Sequence, residues 1–411
     1  MRNNYRPIGE HIQLVDERNT GLKVKQLLGL SISKRFIPSV ANIVGTDMEN
    51  YKIIRRNQFA CSTMQVRRDK KMPVALLQEV EEAIISQAYP IFEVKDENQL
   101  LPEYLMMWFT RSEFDREACF NAVGGVRGSL EWEDFCNMQL PIPSITKQRE
   151  IVKEFNVIQN RITLNKQLIQ KLEETAQAIY KQWFVDYEFP DENGNPFKSS
   201  GGEMEFNKEL ETEIPNGWNL GFIGNYSRVK SGYAFKSDWW QTDGIPVIKI
   251  GSINRNTIDY KSLDFVSPSK IDKAKNYIVQ KGDIVIAMTG ATIGKVGLVP
   301  ELNSPILVNQ RVGMFDLGKL PINNAPFLYF NLLSELVQKE IENVGGDSAQ
   351  ANISNGQIEE IRMILPDKIL INKFNEICKP LLEEILSKIK ENSITNDMGD
   401  LLLSKLATIE N

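Results

Sequence analysis

Between residues 147 and 185, apolar side chains recur at alternating intervals of four and three: Ile151, Phe155, Ile158, Ile162, Ile169, Leu172, Ala176, Ile179 and Trp183. Asn165 is the one polar residue in the same register. This spacing holds one seam of a helix against a partner helix. At about 1.5 Å per residue the helix runs on the order of 55–60 Å, long for a compact domain. A lone polar residue in such a seam costs stability and fixes the register. The natural partner lies at 368–409, where Leu370, Phe374, Ile377, Leu381, Ile385 and Ile389 begin a similar seam and Leu402, Leu403 and Leu406 close it. Asn392, Asn396 and Gly399 interrupt this second seam. Glycine in a helix interior costs about 1 kcal/mol relative to alanine, so a kink or loose turn is expected near 393–400. An antiparallel pair is the simplest closure, and it would put the flanking segments at opposite ends of a rod.

Those flanking segments are similar to each other. Ile8-Gly9 lines up with Ile223-Gly224, Tyr104-Leu105 with Leu328-Tyr329, and Val123-Gly124-Gly125 with Val344-Gly345-Gly346. Met138-Gln139-Leu140-Pro141 matches Met363-Ile364-Leu365-Pro366, and Glu154-Phe155-Asn156 matches Lys373-Phe374-Asn375. Matches that recur in order indicate an internal repeat. Residues 245–250 and 283–288 read as strands bounded by glycine turns, while 100–118 and 326–342 carry helical spacing of aromatics and leucines. The fold class is therefore α+β: a mixed domain over 1–143, a long helix over 144–185, a second mixed domain over 216–366 and a second long helix over 367–411. Between them, 186–215 combines turn residues with high charge and reads as an exposed acidic linker.

Length and composition agree with several globular domains: 411 residues, 42% hydrophobic and 25% charged. No run of about 18 apolar residues suggests a membrane span, and Met1-Arg2-Asn3-Asn4-Tyr5 lacks a signal-peptide pattern. Cys61, Cys119, Cys136 and Cys378 are scattered, as expected of reduced thiols in a cytoplasmic protein. The net charge of −6 first argues against nucleic acid. Its distribution changes that reading. Residues 1–78 hold fourteen basic against six acidic side chains and 216–295 hold eleven against six. The acid is concentrated in 79–143, four basic against thirteen, and in 186–215, two against nine. Phosphate attraction follows the local field.

Catalytic chemistry is sparse. With His11 the single histidine, a histidine-based acid–base or metal site is not expected. Gly290-Ala291-Thr292-Ile293-Gly294-Lys295-Val296 is one residue short of a phosphate loop and lacks its magnesium-holding hydroxyl, so it reads as a β-turn with a basic tip. Neither a G-x-G-x-x-G after a first strand nor an Asn/Asp-Pro-Pro-aromatic motif occurs. Glu81-Glu82 and Glu359-Glu360 read as solvated surface. What remains is binding. In the first mixed domain Lys52, Arg55, Arg56, Arg67, Arg68, Lys70 and Lys71 share only Asp69 as a local acid. In the second, Arg228, Lys230, Tyr233 and Lys236 interleave cations and aromatics, and Lys249, Arg255, Lys295, Gln310 and Arg311 are further candidates. Arginine and lysine neutralise phosphates, arginine can bridge guanine O6 and N7, and glutamine can read adenine. The competing readings are a coiled-coil scaffold with incidental basic patches and an enzyme with an unrecognised site.

Several stretches resemble the specificity subunits of type I restriction-modification enzymes. They are Lys171-Leu172-Glu173-Glu174-Thr175-Ala176-Gln177-Ala178-Ile179-Tyr180-Lys181-Gln182-Trp183-Phe184-Val185-Asp186, Glu213-Ile214-Pro215-Asn216-Gly217-Trp218, Gly282-Asp283-Ile284-Val285-Ile286, Gly294-Lys295-Val296-Gly297, Val308-Asn309-Gln310-Arg311 and Ala349-Gln350-Ala351-Asn352-Ile353-Ser354. The first domain departs at Gly124-Gly125-Val126-Arg127-Gly128-Ser129-Leu130, which lacks the Asn-x-Ser element. The resemblance implies that each mixed domain reads one half of a gapped double-stranded DNA target. It implies that the helices set the gap and dock two methyltransferase subunits, and that two restriction-motor subunits join them. S-adenosylmethionine, ATP and magnesium would then sit on those partners, with no cofactor on this chain. Trp183, Phe184 and Tyr187 are candidate docking points, although for Trp183 seam packing is the favoured reading.

Overall fold

The computed structural model describes residues 4–39, 46–125, 128–254, 256–301, 304–345 and 352–408. The chain divides into two compact units, Met1–Arg161 with Thr395–Asn411, and Ile162–Ile394. Two helices pass from one unit to the other, Ile145–Phe184 and Lys368–Lys405.

Within each unit the two helices run antiparallel. In the first, Ile151 shares a core with Leu403 and Leu406, and a Cβ at Gly399 would meet Ile158. In the second, Asn165 bonds Asn392, and the Trp183 and Phe374 rings lie 5.8 Å apart. The seam of the first helix is as its period predicts, each position buried or half-buried. Two corrections fall on the second helix. It runs unbroken through 393–400, because Gly399 packs against the partner helix and is covered by it. Ile377 is 48% exposed, since the seam advances four residues from Phe374 to the buried Cys378 and then to Leu382, Ile385 and Leu386. Leu381 packs at its margin.

The repeat is a repeat of structure. The first unit contains an antiparallel sheet ordered Ile12–Val15, Ile91–Val94, Phe59–Cys61, Val74–Leu76. The second contains the same order, Val229–Ser231, Val312–Phe315, Ile284–Ala287, Val296–Leu298, extended by Thr257–Ile258 and Ile253–Asn254. Each unit then packs a pair of helices: Pro102–Thr110 with Ser112–Asn121, and Ala325–Leu332 with Glu335–Gly345. Each entry strand pairs with the strand before a long helix, Tyr5–Pro7 with Gln139–Pro141 and Asn219–Phe222 with Arg362–Leu365. The repeated Ile-Gly opens a one-turn helix in both units. A Cβ on Gly9 would stand 2.7 Å from Cys136 and force a shift, and one on Gly224 would stand a tight 3.0 Å from Glu359, so glycine suits the close approach at both.

A buried amide on each long helix caps the helix pair that precedes it in the chain. Gln148 accepts from the Leu101 N–H at 2.9 Å and Asn375 from the Phe327 N–H at 2.8 Å. These N–H groups are among those a helix start leaves without an internal partner.

The stretch 186–215 is largely exposed, as expected, but it is folded and anchored rather than a loose connector. Phe189 stacks between Phe197 and Trp218, Ile214 is buried, and Met204–Asn207 pairs with Thr212–Pro215. Its apolar residues are few, but all except the exposed Phe206 belong to or pack against the core of the second unit. The turn at 190–196 has the predicted chemistry, with Asp191 accepting from the Asn193 and Asn195 N–H groups, and so do the turns at Gly201 and at Asn207, which accepts from the Glu209 and Leu210 N–H groups.

Candidate nucleic-acid interface

Polar loops gather at one end of each unit's sheet. In the first unit the loop after Phe59–Cys61 carries the short helix Val66–Asp69, flanked by Gln65 and Lys70 at φ 63° and 52°. Left-handed backbone at non-glycine residues is uncommon and tends to mark functional loops. The segment that closes the domain is fastened to this loop by the Leu130 N–H to Thr63 C=O bond at 2.9 Å. Arg67 supports it further, donating to the Ala122 and Gly124 carbonyls.

The second unit repeats the arrangement. The loop after Ile284–Ala287 makes a tight turn at Gly290–Thr292, and Ile353 N–H bonds Met288 C=O at 2.9 Å. The turn Asn309–Arg311 joins it through the Met288 N–H to Arg311 C=O bond at 3.0 Å. Between these loops lies a cavity of about 900 Å³, lined by Ser231, Met288, Thr289, Gln310, Arg311, Asn352, Ile353 and Asn355 among others. Ser231 Oγ donates to Asn355 Oδ1 at 2.9 Å. The Thr289 hydroxyl is buried without a partner among the described residues.

The cations singled out in the sequence fall into two classes. Lys52 pairs with Asp16, Arg55 with Glu17 and Glu82, Arg56 with Glu81, Arg68 with Asp69, Arg228 with Glu359 and Lys249 with Asp264. Lys230 donates to Asn276 C=O and lies over the Tyr277 ring, while Tyr233 stacks on Trp239. These residues are largely committed within their units. Lys70, Lys71, Lys236, Lys295 and Arg311 are exposed, and no described carboxylate forms an ion pair with them; Gln310 is also exposed. Arg255 lies outside the described residues. The structure thus brings Gln310 and Arg311 to one cavity and adds Ser231, Thr289 and Asn355, which sequence reasoning passed over. Small polar residues leave no periodic or charge signal; the one hint was that Asn355 follows Asn352-Ile353-Ser354 directly.

Trp183 is buried against Phe374, as the favoured seam reading has it, whereas Phe184 and Tyr187, also candidate docking points, are buried in the core against Phe374 and Trp218. Glu359 is not free surface: it accepts from the Val229 N–H and pairs with Arg228. Glu81 is exposed and Glu82 half-buried, and they are engaged by Arg56 and Arg55. Burial pushes the Cys61 thiol up and the Cys378 thiol up to about 12, which keeps both protonated and poorly nucleophilic. No cluster of three histidine, cysteine or acidic residues positioned for a metal occurs among the described residues, and no described helix is long and apolar enough to cross a membrane.

The family described as the type I restriction modification DNA specificity domain matches residues 67–174 and 215–391, the two copies of the repeat. The chain belongs to this family. It is 24% identical over 314 residues to the type I restriction enzyme MjaIX specificity subunit of Methanocaldococcus jannaschii, covering 75% of this chain and 68% of that one. It is 22% identical over 377 residues to the HindI specificity subunit of Haemophilus influenzae, covering 79% and 80%. Its fold is similar to the crystal structure of the S subunit from M. genitalium, with a TM-score of 0.58 at 17% identity over 99% of this chain and 96% of that one. Membership of a DNA specificity family sets aside the scaffold reading, in which the basic patches were incidental.

Proposed function

We propose that this chain gives a type I restriction-modification assembly its DNA specificity, each unit reading one half of a bipartite, gapped target in double-stranded DNA. The observation that carries the reading is the duplicated loop cluster: two sheets of the same strand order present loops of different sequence at the corresponding end. A common scaffold with different loops suits two half-sites of different sequence, because base edges specify while phosphate contacts position.

In this reading the chain has no turnover of its own. Two methyltransferase subunits bring S-adenosylmethionine, and two restriction-motor subunits bring ATP and magnesium. Apolar side chains outside the seam support docking on the long helices: Leu164 and Leu168 in the second unit, and Val157, Met398 and Leu401 in the first, are all exposed. The helices would then set the gap between half-sites.

Methylome sequencing of cells carrying the chain with its methyltransferase partner tests the proposal. A modified bipartite motif is expected. Exchange of residues 1–143 for another family domain should change one half of the motif and leave the other. A change in both halves, or no bipartite motif, refutes it.

A further inference from the structure

The cavity of the second unit has a donor-rich wall. Asn355 offers a carbonyl oxygen and an amide NH2, but Ser231 Oγ already donates to that oxygen at 2.9 Å. That oxygen keeps a second lone pair, and the Asn355 NH2 stands beside it as a donor on the wall. Arg311 adds a guanidinium that no described carboxylate neutralises. Thr289 adds a hydroxyl with no partner, and Gln310 an exposed amide. Acceptors on this wall include the hydroxyls of Ser231 and Thr289 and the amide oxygens of Gln310, Asn352 and Asn355, while Arg311 is the one charged group among the described lining residues. Met288 and Ile353 supply the apolar part of the lining.

The base edges of the major groove differ in what they ask of such a wall. Guanine presents two acceptors, O6 and N7. Cytosine presents an N4 donor, which would face the Asn355 NH2 donor to donor. Adenine is read by an asparagine or glutamine that accepts from N6 and donates to N7 together; here Ser231 already occupies one lone pair of the Asn355 oxygen, and the cation of the lining, Arg311, matches the two acceptors of guanine. We infer that this cavity reads a guanine in the half-site of the second unit, with Asn355 and Arg311 as the contact residues and Ser231 as the positioning residue. The inference rests on the proposed function and sharpens it to a base. In the first unit, Trp132 opens the short helix Trp132–Asn137 much as Asn355 opens Asn355–Glu359, and it packs on Phe92 and Phe135. The asparagine of this wall is therefore not repeated at the corresponding position of the first unit.

The test uses the full chain bound to its methyltransferase partner and duplexes carrying the methylated motif. Each guanine of the second half-site is replaced in turn by 7-deazaguanine, which lacks N7. One replacement is expected to weaken binding about tenfold, the order of one base contact. In Asn355→Asp, which keeps the side-chain shape and loses the donor, and in Arg311→Ala, that penalty should fall below about twofold while discrimination at the first half-site is unchanged. Ser231→Ala should lower the penalty by a smaller factor. Intact recognition of the first half-site shows that each variant is folded. A bipartite motif with no G·C pair in the second half, or a 7-deazaguanine penalty that survives in both contact variants, overturns the inference alone. Loss of first-half recognition in both contact variants also overturns it, since the residues would then be structural. A wild-type assembly that directs no bipartite motif overturns the functional reading and this inference with it.

Discussion

Within the second unit, the side-chain amide of Asn165 donates to the side-chain carbonyl of Asn392 at 3.0 Å, across the seam of the two long helices. Asn165 is almost wholly buried among apolar neighbours. A buried polar pair stabilises little over an apolar one, but a register slip would strand both amides. Asn165→Leu should lower stability by about 1–2 kcal/mol, because Asn392 loses a partner. The double variant Asn165→Leu with Asn392→Leu should recover that loss and bind its target with a less defined gap. Chemical denaturation of the single and double variants measures the coupling; purely additive effects would refute it.

Gly399 makes the opposite case. It lies in the interior of the second long helix, and a Cβ built there meets Ile158 at 3.5 Å and Gln159 at 3.8 Å, ordinary van der Waals separations. Nothing in the packing requires a glycine. Gly399→Ala should therefore stabilise the chain by about 0.5–1 kcal/mol, from helix propensity and a less flexible unfolded state. A lowered thermal midpoint would show that the approach of the helices is tighter than these distances.

The buried ion pair Lys34–Asp115 fastens a hairpin tip to the helices of the first unit. Lys34 sits at φ 61°, and its ammonium lies 2.8 Å from the Asp115 carboxylate and also donates to the Phe109 carbonyl. Burial pulls the Lys34 amine below its ordinary range, while Asp115 opposes that shift. Removing one partner leaves a buried charge, so Asp115→Ala should cost about 3–5 kcal/mol. Lys34→Met combined with Asp115→Leu should restore most of it, because the apolar replacement leaves no charge to desolvate. Equal losses in the single and double variants would contradict this.

Asp283 supplies a pH dependence. Burial pushes its carboxyl up to about 6 from an ordinary 3.8, and the Asp316 charge adds to this against a hydrogen bond from the Gln280 N–H. Below about pH 4 the group is protonated folded or unfolded. As pH rises from about 4 to about 6 the unfolded chain releases its proton first. Stability is therefore lost across that window, by about 3 kcal/mol, and does not return above it. Urea midpoints between pH 4.5 and 7 should fall with pH in the wild type, and Asp283→Asn should remove that part of the slope. An unchanged slope in the variant would rule Asp283 out as its source.

The sequence makes plain what repeats or has a period. The first seam is correct at every position because ten residues obey one spacing, whereas Ile377 was misplaced because Cys378 reads as neither clearly apolar nor clearly polar. The domain repeat was visible in Ile-Gly and Met-x-Leu-Pro, both fixed by tight packing or strand pairing. Partners across strands were not visible. Arg55 stands opposite Glu82 in the ladder, 27 residues away, so a stretch with one local acid is in fact largely neutralised. The core role of 186–215 was hidden for a related reason: Phe189 and Phe197 are isolated among turn residues and find each other only in the folded unit.

That difference between local and spatial charge leads to a last expectation. A lysine that releases a counterion from DNA contributes about 0.9 to the slope of log affinity against log salt. A cation already held by protein carboxylates releases little, since its field is cancelled before DNA arrives. Lys70 and Lys295 are exposed with no described ion-pair partner, whereas Arg55 is held by Glu17 and Glu82. In the assembly with its methyltransferase partner, Lys70→Ala and Lys295→Ala should each lower the salt slope by about 1, with a uniform loss of affinity across target sequences. Arg55→Ala should leave the slope unchanged and cost no more than about 1 kcal/mol of stability, the range for an exposed pair. Titrations of labelled duplex between 50 and 300 mM salt, values chosen to span roughly the physiological range, separate these cases. A slope that drops for Arg55→Ala but not for the two lysine variants would mean that the ion pairs open on binding, and that the basic ladder around Arg55 is the surface that meets the phosphates.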